Sequence, residues 1–206
     1  MKITKTKSAI FSVLFISLFI IWWCVNKQSN STAESARSNL SQQDISWLTR
    51  MREEKKLARD IYISFWNKWG NDAFVNTSKS EQTHMDYVKV ILDRYWIDDP
   101  IKDDSVWIFS FYAMKKLYDD FVFKWNKSLL DAFILSADAE SLDILDASDL
   151  LQQTKNKDIM ELYNNLIIWS RSHLRAYVEN IKDNGGDYKP KYISQAVYDE
   201  IISSKK

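Results

Sequence analysis

Glu81 and His84 stand three residues apart in the stretch SEQTHM, so if that stretch is helical their side chains share one face. A carboxylate and an imidazole held side by side on a rigid helix can take one metal ion between them. The chain's other histidine, His173, lies in SRSHLRAY, and two more carboxylates, Glu140 and Asp143, repeat the three-residue spacing in ESLD. Carboxylate oxygens with a few imidazole nitrogens suit iron or manganese and also accept zinc, with iron the first expectation. Nucleophilic hydrolysis has little support: no serine is flanked by glycines in an elbow, and the sole cysteine, Cys24, lies in an apolar run.

The elements that position these residues must be helices. The 206 residues include only three glycines and two prolines, whereas strand-rich folds use both at frequent turns. A content of 46% hydrophobic and 14% aromatic residues is ample for a packed core. With 28 basic and 28 acidic side chains the formal charge is zero, so net charge points to neither a nucleic-acid partner nor an acidic membrane surface.

At the N-terminus, Lys2, Lys5 and Lys7 precede AIFSVLFISLFIIWWCV, an uncharged run at the lower length limit for a membrane-spanning helix. The basic flank orients such a helix with its N-terminus inside, and Trp22 and Trp23 suit the far interface. Residues 1–25 are therefore read as a signal anchor or transmembrane segment, 26–43 as a polar linker and 44–206 as a helical domain held outside the cytoplasm. Ser31 and Ala33 leave open the alternative of a cleaved signal peptide, which would make the domain secreted or periplasmic.

Four long helices follow from the apolar spacing. The first begins with a capping signal at Ser41 and Asp44, carries Trp47, Met51, Glu54, Ala58, Ile61 and Phe65 on one seam, and ends near Gly70. A second starts between Ala73 and Ser78 and runs toward Tyr95, with Thr77, Glu81, His84, Val88, Ile91 and Tyr95 inward. After DDP at 98–100 comes a stretch with at most a short helix, about Phe111 to Lys124. A third opens at Ser128 with Asp131 as capping partner, its seam being Leu129, Phe133, Ser136, Glu140, Asp143 and Ala147. The fourth opens near Asp158 and carries Ile159, Tyr163, Leu166, Ser170, His173 and Tyr177 before NGG stops it. A tail with an extended stretch and a short helix follows. Long helices joined short, long, short describe an all-α, ferritin-like four-helix bundle with one long crossover.

The metal-ligand candidates on these seams are Glu54, Glu81, His84, Glu140, Asp143 and His173. Each has an ordinary explanation. Ser78 stands three before Glu81 and would form a capping box with it at an exposed helix start. His173 fits a core histidine, Asp143 a cap for the segment that follows, and Glu54 a solvated charge in REEKK. Only their convergence on one interior argues for a site, because buried carboxylates must be paired or metal-bound. Counting from Gly70, Glu54 and Glu81 differ in depth by about 7 Å at 1.5 Å per residue, so Asp60 competes with Glu54 for the first-helix position.

Four blocks in order, MREEKKLARDIY, SEQTHMDYVK, ESLDILDASDL and SRSHLRAYVENIKDNGGDYKPKYIS, resemble an uncharacterised ferritin-like family of bacteria and archaea, the domain of unknown function 2202, over about residues 44 to 202. The resemblance implies a ferritin-like, rubrerythrin-like bundle with a two-metal carboxylate site, and it implies no known reaction. Carried over, it matches Glu81 and His84 to the second helix's Glu-x-x-His, Glu140 to an acidic position of the third helix and His173 to the histidine of the fourth. Ser170 departs from the pattern, standing where a second Glu-x-x-His has its glutamate. Asp143 is one replacement ligand, and a mononuclear site of Glu81, His84 and His173 is another solution. The expectation is a di-iron centre, with manganese or zinc as substitutes, doing oxidation or reduction with oxygen, peroxide or ferrous iron. The alternative is a bundle that binds metal without catalysis or uses its polar seam to set helix register. Expected partners are metal ions and the membrane, and a homodimer stays open.

Overall fold

Ser41 starts the folded unit by accepting from the Asp44 N–H while the Asp44 carboxylate accepts from the Ser41 N–H, a complete capping box. The structure, a computed structural model, describes residues 34–35, 37–124 and 127–204. The expected membrane segment and half of the expected linker lie outside them. The chain divides into two units, 1–40 and 41–206, and the second is described here. Among the described residues there are six helices and no strand: α1 Gln42–Trp69, α2 Asp72–Arg94, α3 Tyr112–Lys124, α4 Leu129–Gln153, α5 Lys157–Asp183 and α6 Gln195–Ser203. No described helix is long and apolar enough to cross a membrane.

Local chemistry sets the ends. Gly70 closes α1 at φ 64°, a left-handed conformation that costs glycine little, and its N–H donates to the Trp66 carbonyl. Asn71 caps α2 by accepting from the Ala73 N–H, so the helix starts about two turns earlier than a Ser78 cap would give. Ser78 lies inside α2 with its hydroxyl donating to the Val75 carbonyl, which removes the capping-box explanation of Glu81. Ser128 caps α4 as its spacing predicts, and α4 continues unbroken through Asp143, which therefore caps nothing. Asn156, rather than Asp158, caps α5. In the stop after α5, Gly185 adopts φ 76°, and a Cβ on Gly186 would stand 2.6 Å from Leu130 Cδ1.

Two tight connections, Gly70 to Asn71 and Thr154 to Asn156, pair α1 with α2 and α4 with α5. Contacts between the pairs give their direction. Tyr62 meets Glu140 and Lys55 meets Asp143, so numbers fall along α1 as they rise along α4. His173 reaches Ser80 while Tyr95 reaches Asn156, so α2 and α5 also run antiparallel. The order is thus up, down, down, up, and the link from α2 to α4, residues 95–128, must travel the helix length. The end nearest Gly70 is aromatic: Phe74 stacks on Phe133 at 4.9 Å and meets Phe65 edge-on at 5.4 Å, all fully buried. Each such ring contributes about 2 to 3 kcal/mol of burial. In the tail, Tyr188 donates to Asp138, and Ile201 of α6 is fully buried.

The long link is fastened by charges of α1. Glu53 accepts from the Ser110 and Phe111 N–H groups just ahead of α3, and Arg52 forks onto Asp99. Asp60, fully buried, accepts from the Trp107 N–H, from Lys56 at 2.6 Å and from Arg59 at 2.9 Å. Removing one partner of such a buried network leaves a charge uncompensated. Asp60→Ala should therefore lower unfolding stability by about 3 to 5 kcal/mol. Glu54→Ala, which breaks a surface pair with Arg50, should cost at most about 0.5 kcal/mol in the same urea titration. Equal losses in the two variants would show that the link is not fastened in this way.

Candidate metal centre

Glu81 is the middle of the site. Its carboxylate is fully buried, and neither oxygen has a hydrogen-bond partner. Facing Oε1 are two imidazole nitrogens, His84 Nδ1 at 3.1 Å and His173 Nδ1 at 3.6 Å. The His84 contact is short, yet its angles are not those of a hydrogen bond, and Nδ1 too has no partner. On the far side of both rings a single hydroxyl, Ser80 Oγ, meets His84 Nε2 at 3.1 Å and His173 Nε2 at 2.9 Å. One hydroxyl has one proton to give. At least one imidazole must then donate from Nε2, which leaves its Nδ1 either a lone pair aimed at a carboxylate or the second proton of an imidazolium.

That arrangement fits a cation. Metal-binding imidazoles are fixed by an outer partner on the other nitrogen, and Ser80 fills this role for both rings. Trp169 stacks on His84 at 4.4 Å and 9°, which fixes the ring plane. Glu81, His84 and His173 offer atoms all within 4.8 Å of one another, and so do Glu81, Glu140 and Asp143, with Glu81 common to both groups. Glu140 accepts from Tyr62 at 2.6 Å through one oxygen and stands 3.3 Å from His173 Nδ1 through the other. The Asp143 side chain is 33% exposed, and His173 is partly exposed, so this edge is where solvent reaches the cluster.

The electrostatics agree with the geometry. Burial alone would push Glu81 up, but the Lys55 charge, followed by His84 and His173, holds it down at about 2. Burial pulls His173 down, and the Glu140 carboxylate, aided by Glu81, reverses this to a net upward shift. His173 thus tends to carry a proton where an ion would otherwise sit. Burial, then the Glu140 charge, holds the Tyr62 phenol well above its ordinary range, so Tyr62 donates to Glu140 as a neutral group.

The structure brings together Glu81, His84, Glu140, Asp143 and His173 and leaves Glu54 outside. Glu54 pairs with Arg50 at 2.6 Å near the surface, and Asp60, its competitor, is occupied by the link after α2. The cause is a one-residue register error on α1. Its inward seam runs through Leu48, Met51, Lys55, Tyr62 and Phe65, which leaves Trp47 and Glu54 off it, while Ile61 is buried in the core beside Tyr62. In place of a carboxylate, α1 presents the Lys55 ammonium, which donates to Asp143 and lies 3.7 Å from Glu81 Oε2. Sequence reasoning also missed Tyr62 and Ser80. Leu48, the three-four alternation through Lys55 and the Ser80–His84 spacing of four were the available signals.

The family described as "Uncharacterized protein domain (DUF2202)" matches residues 44–205. The chain is 46% identical over 165 residues to uncharacterized protein MJ0754 of Methanocaldococcus jannaschii, covering 80% of this chain and 89% of that protein. The crystal structure of hypothetical protein MJ0754 from Methanococcus jannaschii DSM 2661 superposes with a TM-score of 0.78 at 45% identity, covering 81% of this chain and 95% of that one. This chain, with its buried cluster of glutamates and histidines, belongs to the DUF2202 family.

Proposed function

We propose that the protein is a metal-dependent oxidoreductase of ferritin-like type, with Glu81, His84 and His173 holding a transition-metal ion, iron in the first place. The observation that carries this reading is the buried Glu81 carboxylate, which has no hydrogen bond and faces two imidazole nitrogens tied behind by one serine. The up, down, down, up order with one long link supports the ferritin-like assignment. Bound iron would supply electron transfer to or from oxygen or peroxide, and manganese would serve in the same donor set. The chain's own residues bind, orient and exclude water. Ser80 orients both rings, Tyr62 donates its phenol hydrogen to Glu140, and the aromatic core closes the Gly70 end. The Asp143 edge admits small reactants. An N-terminal tether through residues 9–25 would hold this centre outside the cytoplasm.

One observation favours the non-catalytic reading, in which the polar seam only sets helix register. Lys55 already supplies a positive charge to Glu81 and Asp143 without any metal. Metal uptake separates the two. The full-length chain, purified without chelator or affinity histidines and incubated with ferrous iron or manganese, should retain metal in elemental mass spectrometry. Glu81→Gln and His84→Ala should lose it, and Ser80→Ala should weaken binding by about 10- to 100-fold. A folded chain that takes up no metal would make the cluster structural. Peroxide-dependent turnover by the iron-loaded chain then distinguishes an enzyme from a metal store.

The raised affinity of His173 for its proton adds a pH dependence. Metal must displace that proton, so affinity rises as pH climbs through the upward-shifted titration of His173 and falls in acid. Calorimetric titration in buffers of different ionisation heat should register proton release on binding; no release and a flat pH profile would contradict the assignment of His173.

A further inference from the structure

Two groups of donors share Glu81, and on their face they describe two adjacent ion positions, one toward His84 and His173 and one toward Glu140 and Asp143. A two-metal centre in a helical bundle of this kind draws a glutamate from each of two helices and a Glu-x-x-His from each of the other two. Two of those four carboxylates are missing here. On α5 the place is taken by Ser170, buried and without a hydrogen-bond partner. On α1 it is taken by Lys55, whose side chain is 4% exposed and whose ammonium donates to Asp143 and faces Glu81 Oε2 at 3.7 Å. The nearest carboxylates of α1 are not in reserve, since Glu53 holds the Ser110 and Phe111 N–H groups, Glu54 is paired with Arg50, and Asp60 with Lys56, Arg59 and the Trp107 N–H.

Resting on the metal-binding reading above, we infer that the Lys55 ammonium is a built-in cation filling the second position, so that the centre takes one metal ion, at Glu81, His84 and His173. Three carboxylates, Glu81, Glu140 and Asp143, lie around the place that the ammonium fills, and it touches two of them. An ammonium has no lone pair, so it cannot ligate an ion and can only repel one placed beside it. The ammonium lies between Asp143, to which it donates, and Glu81, so two carboxylates on two other helices hold it in that place. Asp143 is accordingly an anchor for Lys55 and not a ligand of the ion.

The test is a metal count on the full-length protein saturated with manganese, read together with the electron paramagnetic spectrum, which distinguishes an isolated ion from a spin-coupled pair. The native chain should hold one isolated ion. Lys55→Met, which removes the charge while keeping most of the volume, should admit a second, coupled ion, and the double variant Lys55→Met with Asp143→Asn should return to one. Two ions in the native chain, or one in a helical, folded Lys55→Met variant, would overturn the inference while leaving the metal-binding reading intact. No ion in any variant would remove that reading and this one with it. Should Lys55→Met fail to fold, Asp143→Asn alone decides: the single ion stays bound if Asp143 only anchors Lys55, and its loss there refutes the assignment.

Discussion

A carboxylate buried without a hydrogen bond is the feature around which this helical unit is organised. Glu81 sits at full depth in α2, and charge at that depth persists only beside compensating charge. Three helices supply it: Lys55 from α1, His84 from α2 itself and His173 from α5. The fourth, α4, adds Glu140, which meets His173, and Asp143, which holds the lysine. Each long helix therefore has its rotation about its own axis set by a polar group at the same level, while the aromatic end near Gly70 sets how closely the helices approach.

A second set of buried charges performs a separate task on the other side of α1. Glu53, Lys56, Arg59 and Asp60 face the residues that lead from α2 toward α4 and satisfy their backbone groups, and Arg52 holds the Asp99 side chain. Irregular backbone laid against a helix needs donors and acceptors that a purely apolar face does not offer. The run MREEKKLARD is thus charged on both sides for different reasons: Lys55 turns toward the cluster, Glu54 pairs with Arg50 near the surface, and the remaining charges hold the long link. Because α1 serves both, Lys55 on the cluster and Lys56 on the link stand on adjacent residues of that helix.

Helix content, helix ends and the two hairpins were largely readable from residue order, because capping residues and glycines act locally. Ser41 with Asp44, Ser128 with Asp131, Gly70 and NGG marked their boundaries through interactions spanning a few residues. The seams of α2, α4 and α5 were also legible, since each has one apolar stripe with little competition. On α1 both faces are buried, one on the helices and one on the link, and periodicity cannot rank two buried stripes. That ambiguity put Glu54 inward and hid Lys55.

The amino-acid sequence by itself determined that the chain is helical, where its helices stop, and that Glu81, His84, Glu140, Asp143 and His173 fall on inner faces, since these follow from short-range spacing. Tertiary structure alone decided which groups meet. It placed one serine behind both imidazoles, sent Asp60 to the link and set an ammonium where a carboxylate was expected. Those outcomes depend on the rotation of each helix against its neighbours, which is fixed by long-range packing and by the energetic need to neutralise buried charge, and neither is encoded in the spacing of a single helix.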